Sequence, residues 1–182
     1  SAQYLSVITK DSTTLNRLNG VKQLSDSTKI ICYSSGDGDN ESVFLLKVDK
    51  TGNFIWKKKY SNIKRAISYD FIITHSDEIV IIGEARGYPE GDFAQLFILK
   101  VDKNGNIIWS KQYGELQLST SWGTKLIEAN DKGYIISGLI NFHSLVAKID
   151  KDGNVIWANI FSLHDATASI ILNNKSVRLK IS

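Results

Sequence analysis

Apolar and polar positions along this chain fall into short runs of strand length. Ile79–Ile82 and Phe97–Leu99 are apolar at every position, and polar turns such as Ser76-Asp77 and Asn130-Asp131-Lys132-Gly133 lie between such runs. Continuous apolar runs of this length read as strands covered on both faces. One such pattern is written three times: FLLKVDKTGNFIWKKKY at Phe44–Tyr60, FILKVDKNGNIIWSKQY at Phe97–Tyr113 and LVAKIDKDGNVIWANIF at Leu145–Phe161. Lys47, Lys100 and Lys148 therefore recur 53 and 48 residues apart, followed each time by the same Asp, Gly, Asn and Trp. A period of this size marks a repeat architecture.

Each phrase predicts a β-hairpin, in which a mostly apolar strand turns through Asp-Lys-X-Gly-Asn and continues into a strand ending in an aromatic. Gly52 suits the left-handed position that closes a type I turn with a bulge, and Asp49 can bond the turn's amides. That loop sets Asp49 opposite Asn53, Leu46 opposite Trp56 and Lys47 opposite Ile55, with Leu99 opposite Trp109 and Ala147 opposite Trp157. Two further strands precede each hairpin: Asn19–Leu24 and Lys29–Ser34, Ala66–Thr74 and Glu78–Gly83, Thr124–Ala129 and Gly133–Gly138. The expected fold is all-β: a single domain over residues 1–182 built of four-stranded antiparallel blades at about 16–62, 63–115 and 116–162, stacked as in a β-propeller. A β-trefoil also has three units, but its packing does not call for runs apolar on both faces.

The Gly-Tyr-Ile-Ile-Ser-Gly strand at Gly133–Gly138 followed by LVAKIDKDGNVIW at Leu145–Trp157 resembles the blade repeat of bacterial extracytoplasmic β-propeller proteins. It is similar to, but distinct from, the blades of quinoprotein-type propellers. The resemblance covers about residues 16–162 and is loosest in the first unit, where Lys29–Ser34 replaces the Gly-Tyr strand. It implies a propeller scaffold used outside the cytoplasm, in the periplasm, at the cell surface or extracellularly; such scaffolds share no active site. Tyr4–Lys10, Ala166–Asn173 and Val177–Ile181 are left over. Residues 1–15 and 163–182 either share a fourth blade that closes a four-bladed ring, or the chain is half of a larger ring completed by a second copy or a longer polypeptide.

Composition narrows the functional classes. The chain has 182 residues, 42% hydrophobic and 23% charged, and its net charge of +3 is too balanced to point to nucleic acid. No apolar run approaches the roughly 20 residues of a membrane-spanning helix. A single cysteine, Cys32, excludes an internal disulfide, and its setting in Ile30–Tyr33 reads as a small buried hydrophobe. The chain begins at Ser and lacks Met, which fits initiator trimming, signal-peptide removal or excision from a longer polypeptide alike.

Candidate chemistry is sparse. In the Asp-Lys-X-Gly-Asn loops the Gly comes fourth, not sixth as in an EF-hand, so they read as structural turns. Asp37-Gly38-Asp39-Asn40-Glu41 is denser in carboxylates and is a conceivable surface calcium loop or a solvated one. His75, His143 and His164 lack zinc-like spacing, and no nucleophile elbow or phosphate loop occurs, so no metal, cofactor or enzymatic activity is expected. Trp56, Trp109 and Trp157 share one register and read as packing residues between blades. Trp122 departs from the repeat and is the first choice for a ligand contact, with Arg86, Tyr88, Glu90 and Asp92 of the Ala85–Ala94 insertion and Asp37 and Asp39 beside it. Lys57, Lys58, Lys59, Lys64 and Arg65 read as protection of an outermost strand. The expected function is non-catalytic recognition of a protein or glycan through blade loops. The alternative is a structural part that completes its ring as a homo-oligomer on a surface or virion.

Overall fold

The computed structural model describes residues 15–37, 40–60, 65–86, 93–113, 120–161, 169–173 and 176–180. Among the described residues every regular element is a strand: β1 (Leu15–Gln23), β2 (Lys29–Gly36), β3 (Ser42–Val48), β4 (Phe54–Tyr60), β5 (Arg65–Ile73), β6 (Ile79–Arg86), β7 (Gln95–Val101), β8 (Ile107–Tyr113), β9 (Ser121–Glu128), β10 (Tyr134–Ile140), β11 (His143–Ile149), β12 (Val155–Phe161), β13 (Ser169–Asn173) and β14 (Ser176–Lys180). β1–β4, β5–β8 and β9–β12 are three four-stranded antiparallel meanders, and β13 and β14 pair as a separate hairpin. The three sequence units are thus three sheets, in the predicted strand order. Of the C-terminal leftovers, Ser169–Asn173 and Ser176–Lys180 form that hairpin, while Tyr4–Lys10 lies outside the described residues. The described sheets do not close into a ring.

Stacking follows from the two-sided apolar strands. The first sheet turns Ile30, Cys32, Val43 and Leu45 toward the second, where Phe71, Ile79, Ile81, Phe97 and Leu99 meet them. The second sheet's other face, Val80, Ile82, Leu96 and Ile98, packs on Leu126, Tyr134, Ile136, Ala147 and Ile149 of the third. We call the face toward the following sheet leading and the other trailing. Residues of β6 and β7 are buried at all but the last position of β6, as continuous apolar runs require in a middle layer. Fully burying each Ile, Leu or Val contributes about 1.5–3 kcal/mol, so these two interfaces dominate the stability of the stack. Cys32 belongs to the first of them, and burial pushes its thiol up to about 12.

The hairpin register differs from the expected one by a residue. Asp49 does face Asn53 through its backbone N–H, at 2.9 Å. A bulge then pairs Val48 with Phe54 and Lys47 with Trp56, leaving Ile55 as the extra residue. Lys100–Trp109 and Lys148–Trp157 repeat the shift. The expected pairs Leu46–Trp56, Leu99–Trp109 and Ala147–Trp157 are therefore corrected. The bulge carries each Trp onto the leading face, with consequences for packing.

The turns are nearly identical. Asp49 Oδ1 accepts the amides of Thr51 and Asn53 at 2.8 and 2.9 Å, and Oδ2 accepts the Asn53 side-chain amide at 2.8 Å. Asp102 and Asp150 repeat this cap. Gly52, Gly105 and Gly153 hold φ of 94, 76 and 79°, where a Cβ would be strained. Two of these turns are gripped by the preceding sheet. Tyr60 donates to the Gly105 carbonyl at 2.9 Å, Lys58 Nζ donates to Asn106 Oδ1 at 2.7 Å, and Trp56 lies over Gly105. One sheet later Tyr113 donates to Gly153, Lys111 to Asn154, and Trp109 Nε1 to the Lys151 carbonyl. Trp56 and Trp109 are thus half-buried packing residues, whereas Trp157 is exposed. Lys58 serves this grip as well as lying on an outermost strand.

A second clamp was not foreseen. Lys47, Lys100 and Lys148 are buried on the leading faces, and each reaches an acid in the turn before the second strand of its own sheet. Lys100 Nζ lies 2.7 Å from Glu78, Lys148 Nζ 2.6 Å from Asp131 and Lys47 Nζ 3.6 Å from Asp26. Those turns hold Ser27, Asp77 and Lys132, rather than glycine, at the left-handed position, with φ of 58–67°.

Gly105→Ala should destabilise the protein more than Gly52→Ala, measured by urea unfolding. Both carry the left-handed penalty of about 1–2 kcal/mol. At Gly105 a Cβ also comes within 2.8 Å of Lys58 Cδ and 3.1 Å of Trp56 Cη2, whereas at Gly52 it meets no described atom within 4 Å. Equal losses would show that the grip adds nothing.

The turn carboxylates set an acid limit. Hydrogen bonds from Thr51 and Asn53 hold Asp49 well below the ordinary Asp value, and those from Asn154 lower Asp150. Burial opposes the shift at Asp102, but the Asn106 and Asn104 bonds still bring it down. Depressed carboxyls contribute stability that is fully present above the unfolded value near pH 3.9 and is lost as pH falls through the folded values. Thermal midpoints should therefore fall below about pH 4, and Asp102→Asn should flatten that decline.

Candidate functional site

The connections at one end of the stack follow the second strand of each sheet: those between β2 and β3, β6 and β7, and β10 and β11. Asp37 follows the end of β2, Arg86 is the last residue of β6, and Phe142 lies in the turn after β10, so all three stand at this end. The opposite end carries the Asp-capped turns. Neighbouring sheets are tied at the first end by backbone bonds, Ala66 N–H to the Glu41 carbonyl at 2.9 Å and Ser121 N–H to the Ala94 carbonyl at 2.7 Å.

Trp122 stands at the start of β9, half-buried, with Leu139 of β10 as its cross-strand partner. Its approach to β10 depends on Gly138, where a Cβ would lie 2.2 Å from the Trp122 carbonyl oxygen. Phe142 closes the two-residue turn between β10 and β11 and meets Trp122 edge-on, with ring centroids 6.4 Å apart and planes at 82°. Asn141 and Phe142 have φ of 48 and 65°, the positive pair that a tight hairpin turn requires and that Asn-Gly normally supplies. Phe in this region is an outlier. Its ring is also 66% exposed, so packing does not repay the cost.

Below this pair, a cleft of about 650 Å³ runs along the leading face of the third sheet toward β1 and β5. Ile135 and Leu139 supply apolar surface, while Lys22, Asp70, Lys125 and Ser137 supply polar groups. Lys125 Nζ lies 3.7 Å from Asp70 Oδ2, which also accepts the Leu126 amide at 3.4 Å. Thr124 Oγ1 donates to the Ser137 carbonyl at 3.2 Å. Apolar walls with a few fixed charges and hydroxyls suit a ligand that is itself amphipathic.

The predicted residues are placed as follows. Trp122 adjoins the cleft through its cross-strand partner Leu139, and its neighbour Ser121 accepts the Leu96 amide at 3.0 Å, so it stands beside the strand following the Ala85–Ala94 insertion. Arg86 ends β6, with Nε 3.6 Å from Glu84, in a separate cluster with Tyr69, whose hydroxyl donates to Glu84 at 3.1 Å. Glu41, 2% exposed, receives Arg65 at 2.7 Å close by. Asp37 is exposed beyond β2. Tyr88, Glu90, Asp92 and Asp39 lie outside the described residues. Phe142, Lys22 and Asp70 went unrecognised in the sequence; the only signal was Asn141-Phe142, a two-residue turn lacking its usual glycine.

Among the described residues, no group of three or more His, Cys, Asp or Glu is arranged to hold a metal ion. His75 is instead bonded to Glu128 at 2.6 Å. No helix among the described residues is long and apolar enough to cross a membrane. No family model matches the sequence, and no curated protein matches it.

Phe142→Gly should leave stability unchanged or raise it by up to about 1 kcal/mol, read by chemical denaturation, because left-handed strain is relieved and little burial is lost. A loss above that size would make Phe142 a packing residue.

Proposed function

We propose that this chain is a non-catalytic recognition module of the β-propeller type, acting outside the cytoplasm, that binds a protein or glycan partner. The Trp122–Phe142 pair above the third-sheet cleft is the observation that carries this reading. An exposed aromatic kept in an unfavourable backbone region reflects a demand other than folding. Aromatic rings offer large contact area at low entropic cost, and the cleft adds Lys22, Asp70 and Ser137 for orientation. In sequence, Arg86, Tyr88, Glu90 and Asp92 follow the second strand of the neighbouring sheet, and Asp37 and Asp39 follow that of the first; these remain the further contact residues of the reading. In this reading the three sheets are blades of a propeller.

A second reading is favoured by the open stack. The first sheet's trailing face, with Ile31, Tyr33, Leu46 and Val48, is buried, whereas at the other end of the stack β12 leaves Val155, Ile156, Trp157 and Ile160 exposed. A structural part of a larger assembly, completed by association, would use that exposed strand.

The recognition reading is tested by displaying oligosaccharides and peptides on an array and comparing native protein with the Trp122→Ala/Phe142→Ala variant. The variant should lose bound signal at least tenfold while its thermal melt changes little, since neither ring lies in the inter-sheet core. Equal binding by a folded variant would refute the assignment of this site.

A further inference from the structure

The chain contains three Asp-Lys-X-Gly-Asn turns and three outer strands bearing Trp at the same register. Two grips are formed internally, by β4 on the turn at 102–106 and by β8 on the turn at 150–154. One outer strand and one turn remain, and they are at opposite ends of the stack. Their exposure shows it: Gly105 and Gly153 are buried and Gly52 is exposed. Trp56, Lys58 and Tyr60 of β4 are half-buried, as are Trp109, Lys111 and Tyr113 of β8, whereas Trp157 and Asn159 of β12 are exposed.

We infer that β12, through Trp157, Asn159 and Phe161, docks the Asp49–Asn53 turn of a second copy of this chain. This rests on the assembly reading and names its contact and partner. The occupant follows from continuity: the contact has already been made twice between successive sheets, and the free turn has the same Asp-Asn cap and left-handed glycine as the two that are gripped. The free strand and the free turn are different surfaces, so the contact is heterologous and joins copies head to tail, as a ring where the rotation closes.

The third grip is chemically reduced. Asn159 stands where Lys58 and Lys111 reach the turn Asn, and Phe161 where Tyr60 and Tyr113 donate to the glycine carbonyl. The apolar contact remains and both long-reaching donors are missing, which makes the joint between copies weaker than the joints within one.

Sedimentation velocity across a wide concentration range tests this. Native protein should associate reversibly, Trp157→Glu should stay monomeric with an unchanged melt, and Asn159→Lys/Phe161→Tyr should lower the dissociation constant roughly tenfold by restoring two hydrogen bonds. Gly52→Asn blocks the turn with a residue that tolerates the left-handed region. It should also be monomeric alone, yet mixing it with Trp157→Glu should give dimers and nothing larger, because only one joint can form. If native protein associates and Trp157→Glu associates equally, this contact is overturned while the assembly reading stands. Monomers at every concentration, for both native protein and Asn159→Lys/Phe161→Tyr, overturn both.

Discussion

The grip of β4 and β8 on the turn of the following sheet couples local backbone geometry to the packing of the stack. The turn needs a residue with positive φ, and glycine there leaves a bare backbone surface. The preceding Trp closes over that surface, and the neighbouring Tyr satisfies the glycine carbonyl. Burial, with nearby carboxylates adding to it, pushes Tyr60 and Tyr113 well above the ordinary phenol range, so the hydroxyls that donate here stay protonated even in alkaline solution. Each hydrogen bond contributes only about 1 kcal/mol. Apolar burial contributes far more but is non-directional. The core therefore holds the sheets together, and the grips fix how one sheet is set on the next.

The buried lysines serve the same end within a sheet. A lone ammonium on these faces would be costly, so each is paired with an acid from the turn before the second strand of its sheet. Burial opposes the charge on Lys100, yet its bonds to Glu78 and Tyr134 keep its pKa raised. Such pairs add little net stability. Their effect is to tie the third strand's end to a turn that has no glycine at its left-handed position, where Ser27, Asp77 and Lys132 stand.

The repeat made the strands, their order and the turns legible because each rests on local patterning: apolar runs, an Asp cap and a glycine at a fixed offset. The register slipped by one because the bulge at Phe54–Ile55 has no residue signature of its own. Packing of the repeated Trp residues could be read from their common register; the exposure of Trp157 could not, since it depends on which sheet has a successor. Trp122 was legible as a departure from the repeat. Lys22 and Asp70 were not, because they meet the third sheet only when β5 lies between β1 and β9, and Phe142 was not, because it meets Trp122 only through the turn between β10 and β11.

Sheet position also explains why departures concentrate where they do. The middle sheet has its two central strands buried on both faces, and any change there disturbs two interfaces at once. The third sheet has one face packed and one lined by a cleft, so its leading face tolerates Thr124, Lys125, Ser137 and Ser144 among apolar neighbours. The same freedom extends to β12, where the aromatic grip loses its lysine and its hydroxyl while Trp157 is kept. A Trp that served only an internal joint would have no reason to persist on a strand without one. Its retention beside relaxed neighbours marks the strand as a contact surface of reduced strength.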